Sequence, residues 1–224
     1  HCESSAASDV YKRQILLLHQ FMKIIPCFGN HTFTVIILHG LYQNTLEIKS
    51  MIKMINCDFI KWIILEGKGA KWYSYYTQRD NHNRHDKINY KQFKCSCCFL
   101  ERTIKRELRC IPCEKLYTLG ISQGGTVCIN TALSLKFKLG GIICIDTIFL
   151  SDYMPDISFL KQKFNILISS KDKIYNPNFQ KNCYDLLRFF GNEIHISERN
   201  KKHCEDISEI CDYIQSIFTE KYFT

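Results

Sequence analysis

No stretch of this chain approaches the run of about 20 apolar residues that crosses a bilayer. The apolar residues 15–18 (ILLL) are too few and wrongly flanked for an export signal. Together these absences predict a soluble, cytoplasmic protein. A block of like charge is missing too. The formal net charge is +8, but lysines and arginines are dispersed among acids, as in ERTIKREL at 101–108. That pattern is a solvated surface rather than a nucleic-acid-binding stripe, so no nucleic-acid partner is expected. Internal repeats are absent, and no second CxxC accompanies Cys110 and Cys113. The denser group Cys95, Cys97, Cys98, Cys110 and Cys113 therefore lacks the paired spacing of a tetrahedral zinc site, and no metal is expected. The thirteen cysteines are scattered through apolar segments, as at Cys128 and Cys144. Without an export signal they read as reduced thiols.

At 224 residues and 46% hydrophobic content, the chain can bury one sizeable α/β core. Residues 4–14, SSAASDVYKRQ, resemble the in-frame translation of a sequencing adapter, and are set aside with the rest of 1–21 as non-native or uncertain. A single domain is expected over 22–224; Met22 is one candidate start, and residues 15–21 fit equally well as genuine coding sequence whose true beginning is lost. Apolar, β-prone runs predict strands at 33–38, 59–65, 116–119, 141–148, 164–169 and 193–197. Helical spacing predicts helices at 46–55, 90–109, from 124 onward, 179–190 and 206–218. An aromatic loop is expected at 67–76 and a long exposed one at 78–87. Alternating strands and helices imply an α/β fold, a mainly parallel sheet with helices on both faces. Reactive groups then collect beyond the carboxyl ends of the strands.

One serine stands out at such an end. In LYTLGISQGGTVCI (116–129), Gly120 and Gly124 flank Ser122 at GxSxG spacing between an apolar strand and a helical pattern. The missing side chains let strand and helix approach closely and force the serine into an exposed turn. The same spacing also fits a bare tight turn, so the partners decide. A serine hydroxyl needs a base, and the base an orienting carboxylate. In α/β chain order the acid follows the serine and the histidine comes last. Asp172 follows the strand NILISS, and His203 lies in RNKKHCEDI just before the last helix. Other acids and histidines fit less well. Asp146 lies within an apolar strand, Asp152 comes one step early and His195 alternates inside EIHIS. His82 and His85 lie in the polar loop, and His39 follows the first core strand. Acyl transfer also requires oxyanion donors, for which the backbone N–H groups of Gln123 and Leu41 occupy the expected places.

VIILHGL (35–41), KWY (71–73), IPCEKLYTLGISQGG (111–125), Asp172 and His203 together resemble the phospholipase/carboxylesterase family that includes the acyl-protein thioesterases, within the α/β-hydrolase superfamily. The resemblance implies Ser122 as nucleophile, His203 as base and then acid, Asp172 as orienter, and Leu41 and Gln123 as oxyanion donors. It implies an acyl-enzyme mechanism without metal or organic cofactor, and an acylated protein, a lysophospholipid or a small ester as substrate. Trp72 is expected to wall the acyl groove, and Tyr42 to narrow its entrance where the family has glycine. A glycine common shortly before the histidine is absent from RNKKH, and the segment 78–87 is longer than the family loop. The basic charge suits peripheral contact with anionic membranes, where each well-placed cation contributes about 1 kcal/mol. A catalytically silent member that binds acyl groups or a partner remains the alternative reading.

Overall fold

In a computed structural model, residues 21–75, 88–153 and 161–222 are described. Seven strands form one sheet: β1 (Met22–Ile25), β2 (Phe33–Leu38), β3 (Ile60–Leu65), β4 (Leu116–Ile121), β5 (Gly141–Ile145), β6 (Lys163–Ser169) and β7 (Glu193–Arg199). Their spatial order is β1-β3-β2-β4-β5-β6-β7. Every pair is parallel except β1 with β3. Among the described residues five helices accompany them: α1 (Thr45–Met54), α2 (Tyr90–Glu107), α3 (Gln123–Ser134), α4 (Pro177–Phe189) and α5 (Ile207–Tyr222).

The strands' alternation assigns the helices to faces. Ile36, Leu38, Ile63 and Leu65 pack with residues of α2, α3 and α4. Their neighbours Val35, Ile37, Trp62 and Ile64 pack on the other face with α1 and α5. Both faces are covered, which is why the central strands read as continuous apolar runs. The edge strand β7 instead alternates half-buried isoleucines with exposed polar residues until Arg199, which is buried. Asparagines start three helices: Asn44, Asn89 and Asn176 each accept from backbone N–H groups of the first turn. Pro177 follows Asn176 at the first helical position, where its missing N–H costs nothing.

The expected elements are present with shifted ends. β5 stops at Ile145 rather than 148, because Asp146 turns into the left-handed region at φ 43°. β7 runs two residues further than expected, and α5 reaches Tyr222. β1 escaped prediction because MKII is a four-residue edge strand with two exposed positions. The adapter-like segment 4–14 and the polar loop 78–87 lie outside the described residues. The chain on either side of that loop is joined by an antiparallel bridge between Tyr75 and Ile88.

Close approach at the centre of the sheet fixes two glycines. A Cβ on Gly120 would lie 2.3 Å from Gly125 Cα, and one on Gly124 would lie 2.5 Å from the Leu38 carbonyl oxygen. The start of α3 is thereby seated directly on the ends of β4 and β2. Gly124→Ala should cost about 1–3 kcal/mol, the usual penalty of overpacking. Gly29→Ala, whose Cβ would meet only the Asp58 side chain at 3.5 Å, should stay within about 0.5 kcal/mol. Urea denaturation of the two variants checks the difference.

Candidate active site

Ser122 sits between β4 and α3 at φ 49° and ψ −117°, a conformation that L-residues rarely adopt. Neighbouring chain holds it there. The Ser122 N–H donates to Ile145 O at 2.8 Å, and its carbonyl accepts from Thr147 Oγ1 at 2.6 Å and from the Gly125 N–H at 3.0 Å. The turn aims the hydroxyl at the loop after β7, where Ser122 Oγ lies 2.8 Å from His203 Nε2.

His203 Nδ1 lies 2.6 Å from Asp172 Oδ2. An ionised carboxylate only accepts, so the proton belongs on Nδ1 and leaves Nε2 free to accept from the serine. Asp172 is itself fully engaged. Its Oδ1 accepts from the N–H groups of Ile174 and Tyr175 at 2.7 and 2.9 Å, and Oδ2 accepts from Gln180 Nε2 at 3.2 Å. The Tyr175 ring meets the imidazole edge-on at 5.4 Å. The expected serine, histidine and acid thus converge from the carboxyl ends of β4, β7 and β6.

The loop after β2 forms the opposite wall. His39 is fully buried. Its Nδ1–H donates to Gly40 O at 2.7 Å while Nε2 accepts from the Gly67 N–H at 3.0 Å. Burial depresses its pKa, opposed by the Gly40 carbonyl and the charges of Glu66 and Glu47, which is consistent with the neutral ring these bonds require. Gln43 Oε1 accepts from the Gly40 N–H at 2.7 Å. The Leu41 N–H has no acceptor among the described residues. As the first residue of α3, Gln123 has no carbonyl one turn earlier to receive its N–H.

The Gln123 side chain holds a third segment, accepting from the Trp72 N–H at 2.8 Å and donating to Tyr73 O at 2.9 Å. A cavity of about 540 Å³ opens over Ser122 and His203, walled by Tyr42, Tyr73, Tyr75 and Ile174, with Lys71 and Cys204 at its margin. Trp72 does not line it. Its indole is buried against His39, donating Nε1–H to the His39 carbonyl at 2.8 Å, so the groove-facing aromatics of this loop are Tyr73 and Tyr75. Tyr42 stands at the mouth, 76% exposed at φ 65°, with its N–H on Ala70 O.

The competing residues go elsewhere. His195 is exposed on β7 and bonds Glu193, and Asp152 lies exposed in a 3-10 turn. His82 and His85 lie outside the described residues. Asp146 is buried and ion-paired with Arg199 at 3.0 Å, beside the triad but not in it. Gln180, and the pairing of Asp146 with Arg199, were not anticipated from sequence. The signal for that pairing was an acid closing an apolar strand, a buried charge that demands a partner. No residue from 200 to 203 takes a positive φ, whereas Cys204 and Asp206, just after His203, do, at 50° and 60°.

All twelve cysteines among the described residues are free. Those between 95 and 113 do not gather as ligands. Among the described residues, the group with metal-ligand spacing is Asp146, His203 and Cys204, of which the first two are already occupied by Arg199 and the serine–acid pair. Cys204 is the thiol that lines the cavity. Burial, together with the charges of Asp146 and Asp172, holds its pKa well above the ordinary thiol value. Iodoacetamide at pH 7 should therefore alkylate the exposed Cys95 and Cys110 first and leave hydrolysis intact, as peptide mass spectrometry paired with an esterase assay would show. Early modification of Cys204 with loss of activity would contradict this.

Residues 19–218 match the sequence profile of the phospholipase/carboxylesterase family. An acyl-protein thioesterase 1 homolog 2 of Dictyostelium discoideum is 29% identical over 146 residues, 58% of this chain and 62% of that relative's length. The chain thus aligns with less than two thirds of that relative. SOBER1 of Arabidopsis thaliana superposes with a TM-score of 0.73 at 13% identity, covering 85% of this chain and 99% of that one. The Bacillus cereus carboxylesterase gives 0.71 at 11%, covering 87% and 93%. Zea mays acyl-protein thioesterase 2 gives 0.66 at 15%, covering 87% and 97%. The fold is that of the α/β-hydrolases, and the chain belongs to the phospholipase/carboxylesterase family.

Proposed function

We propose that this protein is a serine hydrolase that cleaves carboxylic esters or thioesters through an acyl-enzyme. The observation that carries this reading is the unbroken chain Ser122 Oγ, His203, Asp172 at 2.8 and 2.6 Å, open to a cavity. Ser122 Oγ attacks the acyl carbon as its proton passes to His203 Nε2, and Asp172 stabilises the imidazolium. The carbonyl oxygen, now negative, is received by the N–H groups of Leu41 and Gln123. Collapse expels the alcohol or thiol, which takes the proton from His203. Water then attacks the acyl-serine by the same route and releases the acid. Every proton and electron pair in this cycle is handled by side chains, backbone and water, so no cofactor is invoked.

The acyl group would lie against Tyr73, Tyr75 and Ile174. Family membership and the name of the Dictyostelium relative favour thioesters of acylated proteins, with lysophospholipids and small esters as further substrates. The mouth suits contact with an anionic membrane. Tyr42 is 76% exposed there, and Lys71, which also lines the cavity, is exposed. Lysines with apolar neighbours favour the headgroup boundary.

Ser122→Ala should abolish fluorophosphonate labelling and lower kcat by about 10⁴ to 10⁶, as loss of such a nucleophile does. His203→Ala and Asp172→Asn should each cripple turnover of ester and thioester substrates. Labelling that persists in Ser122→Ala would overturn the assignment. At the mouth, Tyr42→Gly should raise kcat/KM for long-chain acyl substrates more than for acetyl ones, because an exposed ring at an entrance excludes bulk. If the parent is inert to fluorophosphonate and Tyr42→Gly gains labelling, the silent alternative holds instead.

A further inference from the structure

The Asp146 carboxylate joins three strand ends at once. Asp146 follows β5, and its own N–H continues the pairing with β6 by donating to Leu167 O at 2.9 Å. Its positive φ is one that aspartate tolerates better than most residues. Its Oδ1 accepts from the Ser169 N–H at 2.7 Å; its Oδ2 accepts from Ser169 Oγ at 2.8 Å, Arg199 Nη2 at 3.0 Å and the Cys204 N–H at 2.8 Å. Arg199, at the end of β7, donates Nε–H to Ser169 Oγ at 3.0 Å and Nη1–H to the carbonyls of Glu205 and Asp206. The two charged side chains are 0% and 1% exposed.

Each of these partners neighbours a member of the triad. Ser169 lies three residues before Asp172 and accepts its N–H at 3.1 Å. Cys204 directly follows His203, and Glu205 and Asp206 complete that loop. On the other side, Ile145 and Thr147 are the residues that hold the Ser122 backbone. Residues 145–147 therefore grip the nucleophile with the flanking positions and the histidine loop with the middle one. A buried ion pair is a weak source of net stability, since desolvation offsets its attraction. Its consequence here is geometric: donors and acceptors in fixed directions tie the base to the nucleophile's support.

We propose that Asp146 and Arg199 are positioning residues that set the distance between His203 and Ser122. They touch no reacting atom and act through Ser169, Cys204 and the carbonyls of residues 205 and 206. The inference rests on the serine hydrolase reading above.

Two variants test it. Asp146→Asn/Arg199→Met removes both charges together, so no unpaired ion is left inside, and asparagine still tolerates the positive φ. Arg199→Lys keeps the charge but loses the forked reach to the two carbonyls. Active sites are titrated to completion with fluorophosphonate, and kcat is expressed per titrated site. Both kcat and the labelling rate should fall by about 10- to 100-fold in the double variant, as displacement of a catalytic group does. KM should hold within about threefold, the pattern of an interaction that serves the transition state. The low-field proton resonance of the His203 Nδ1–H should shift or broaden, and Arg199→Lys should recover part of the rate. Parental kcat per site with an unchanged resonance, even at a lowered melting temperature, would overturn the proposal by making the pair merely structural. Should the double variant fail to fold, Arg199→Lys alone decides between the same two results. Failure of the underlying reading is distinguishable: Ser122→Ala would retain hydrolysis, or the parent would not label. The proton resonance would still report whether the pair orients His203.

Discussion

Everything at the centre of this protein depends on one turn in which strand and helix come too close for side chains. Gly120 packs against the backbone of Gly125, and Gly124 against the Leu38 carbonyl. Between them Ser122 is driven to a positive φ. Strain of this kind costs on the order of 1–3 kcal/mol and persists only where the surroundings over-determine it. The backbone bonds to Ile145, Thr147 and Gly125 supply that determination. The turn also faces the hydroxyl toward the carboxyl edge of the sheet and leaves the first N–H of α3 without a helical acceptor. The proposed nucleophile and one of the proposed oxyanion donors are consequences of one packing constraint.

Charge is distributed around this turn by burial. His39 lies on the serine's side of the sheet edge and is kept neutral: its two nitrogens are consumed by Gly40 and Gly67, and burial opposes protonation. Protonation would cost the ring its bond from the Gly67 N–H, because a nitrogen that carries a proton cannot accept. Opposite it, His203 has a carboxylate at 2.6 Å, the arrangement that tolerates a transient imidazolium. Two histidines of similar sequence setting, each just beyond a strand, thus receive opposite electrostatic environments.

The sheet, its parallel sense and the convergence of Ser122, Asp172 and His203 were legible because they follow from periodicity and chain order. β2, β6 and the start of α2 stand where apolar spacing puts them. What the sequence concealed was less regular. The edge strand β1 is four residues long, too short for alternation to register. KWY reads as an aromatic cluster, but nothing in its spacing says that Trp72 turns inward to His39 while Tyr73 faces the cavity. Asp146 reads as an anomaly in a strand, and its partner lies 53 residues away. Polar contacts of that separation leave no periodic trace. In the histidine loop the left-handed turns fall on Cys204 and Asp206, a role that residue type alone does not announce.

The site is therefore assembled from two halves held by different forces. Gln123 fastens the backbone of Trp72 and Tyr73 to the residue after the nucleophile, and Trp72 fastens that loop to His39. The turn at Ser122, the loop of Leu41 and the pocket wall are consequently one unit, closed by glycine-to-backbone packing as well as by these side-chain hydrogen bonds. His203 arrives on a separate loop, where Cys204 and the Tyr175 ring add apolar contact to an anchorage of carboxylates, a guanidinium and backbone carbonyls. Close packing tolerates almost no displacement, whereas polar contacts have direction and can specify an orientation without filling space. A nucleophile in a strained turn needs the first kind of support. The base proposed at His203 must accept a proton, carry it and give it back, which asks for a fixed direction more than a tight enclosure, and its loop is anchored by contacts of that kind.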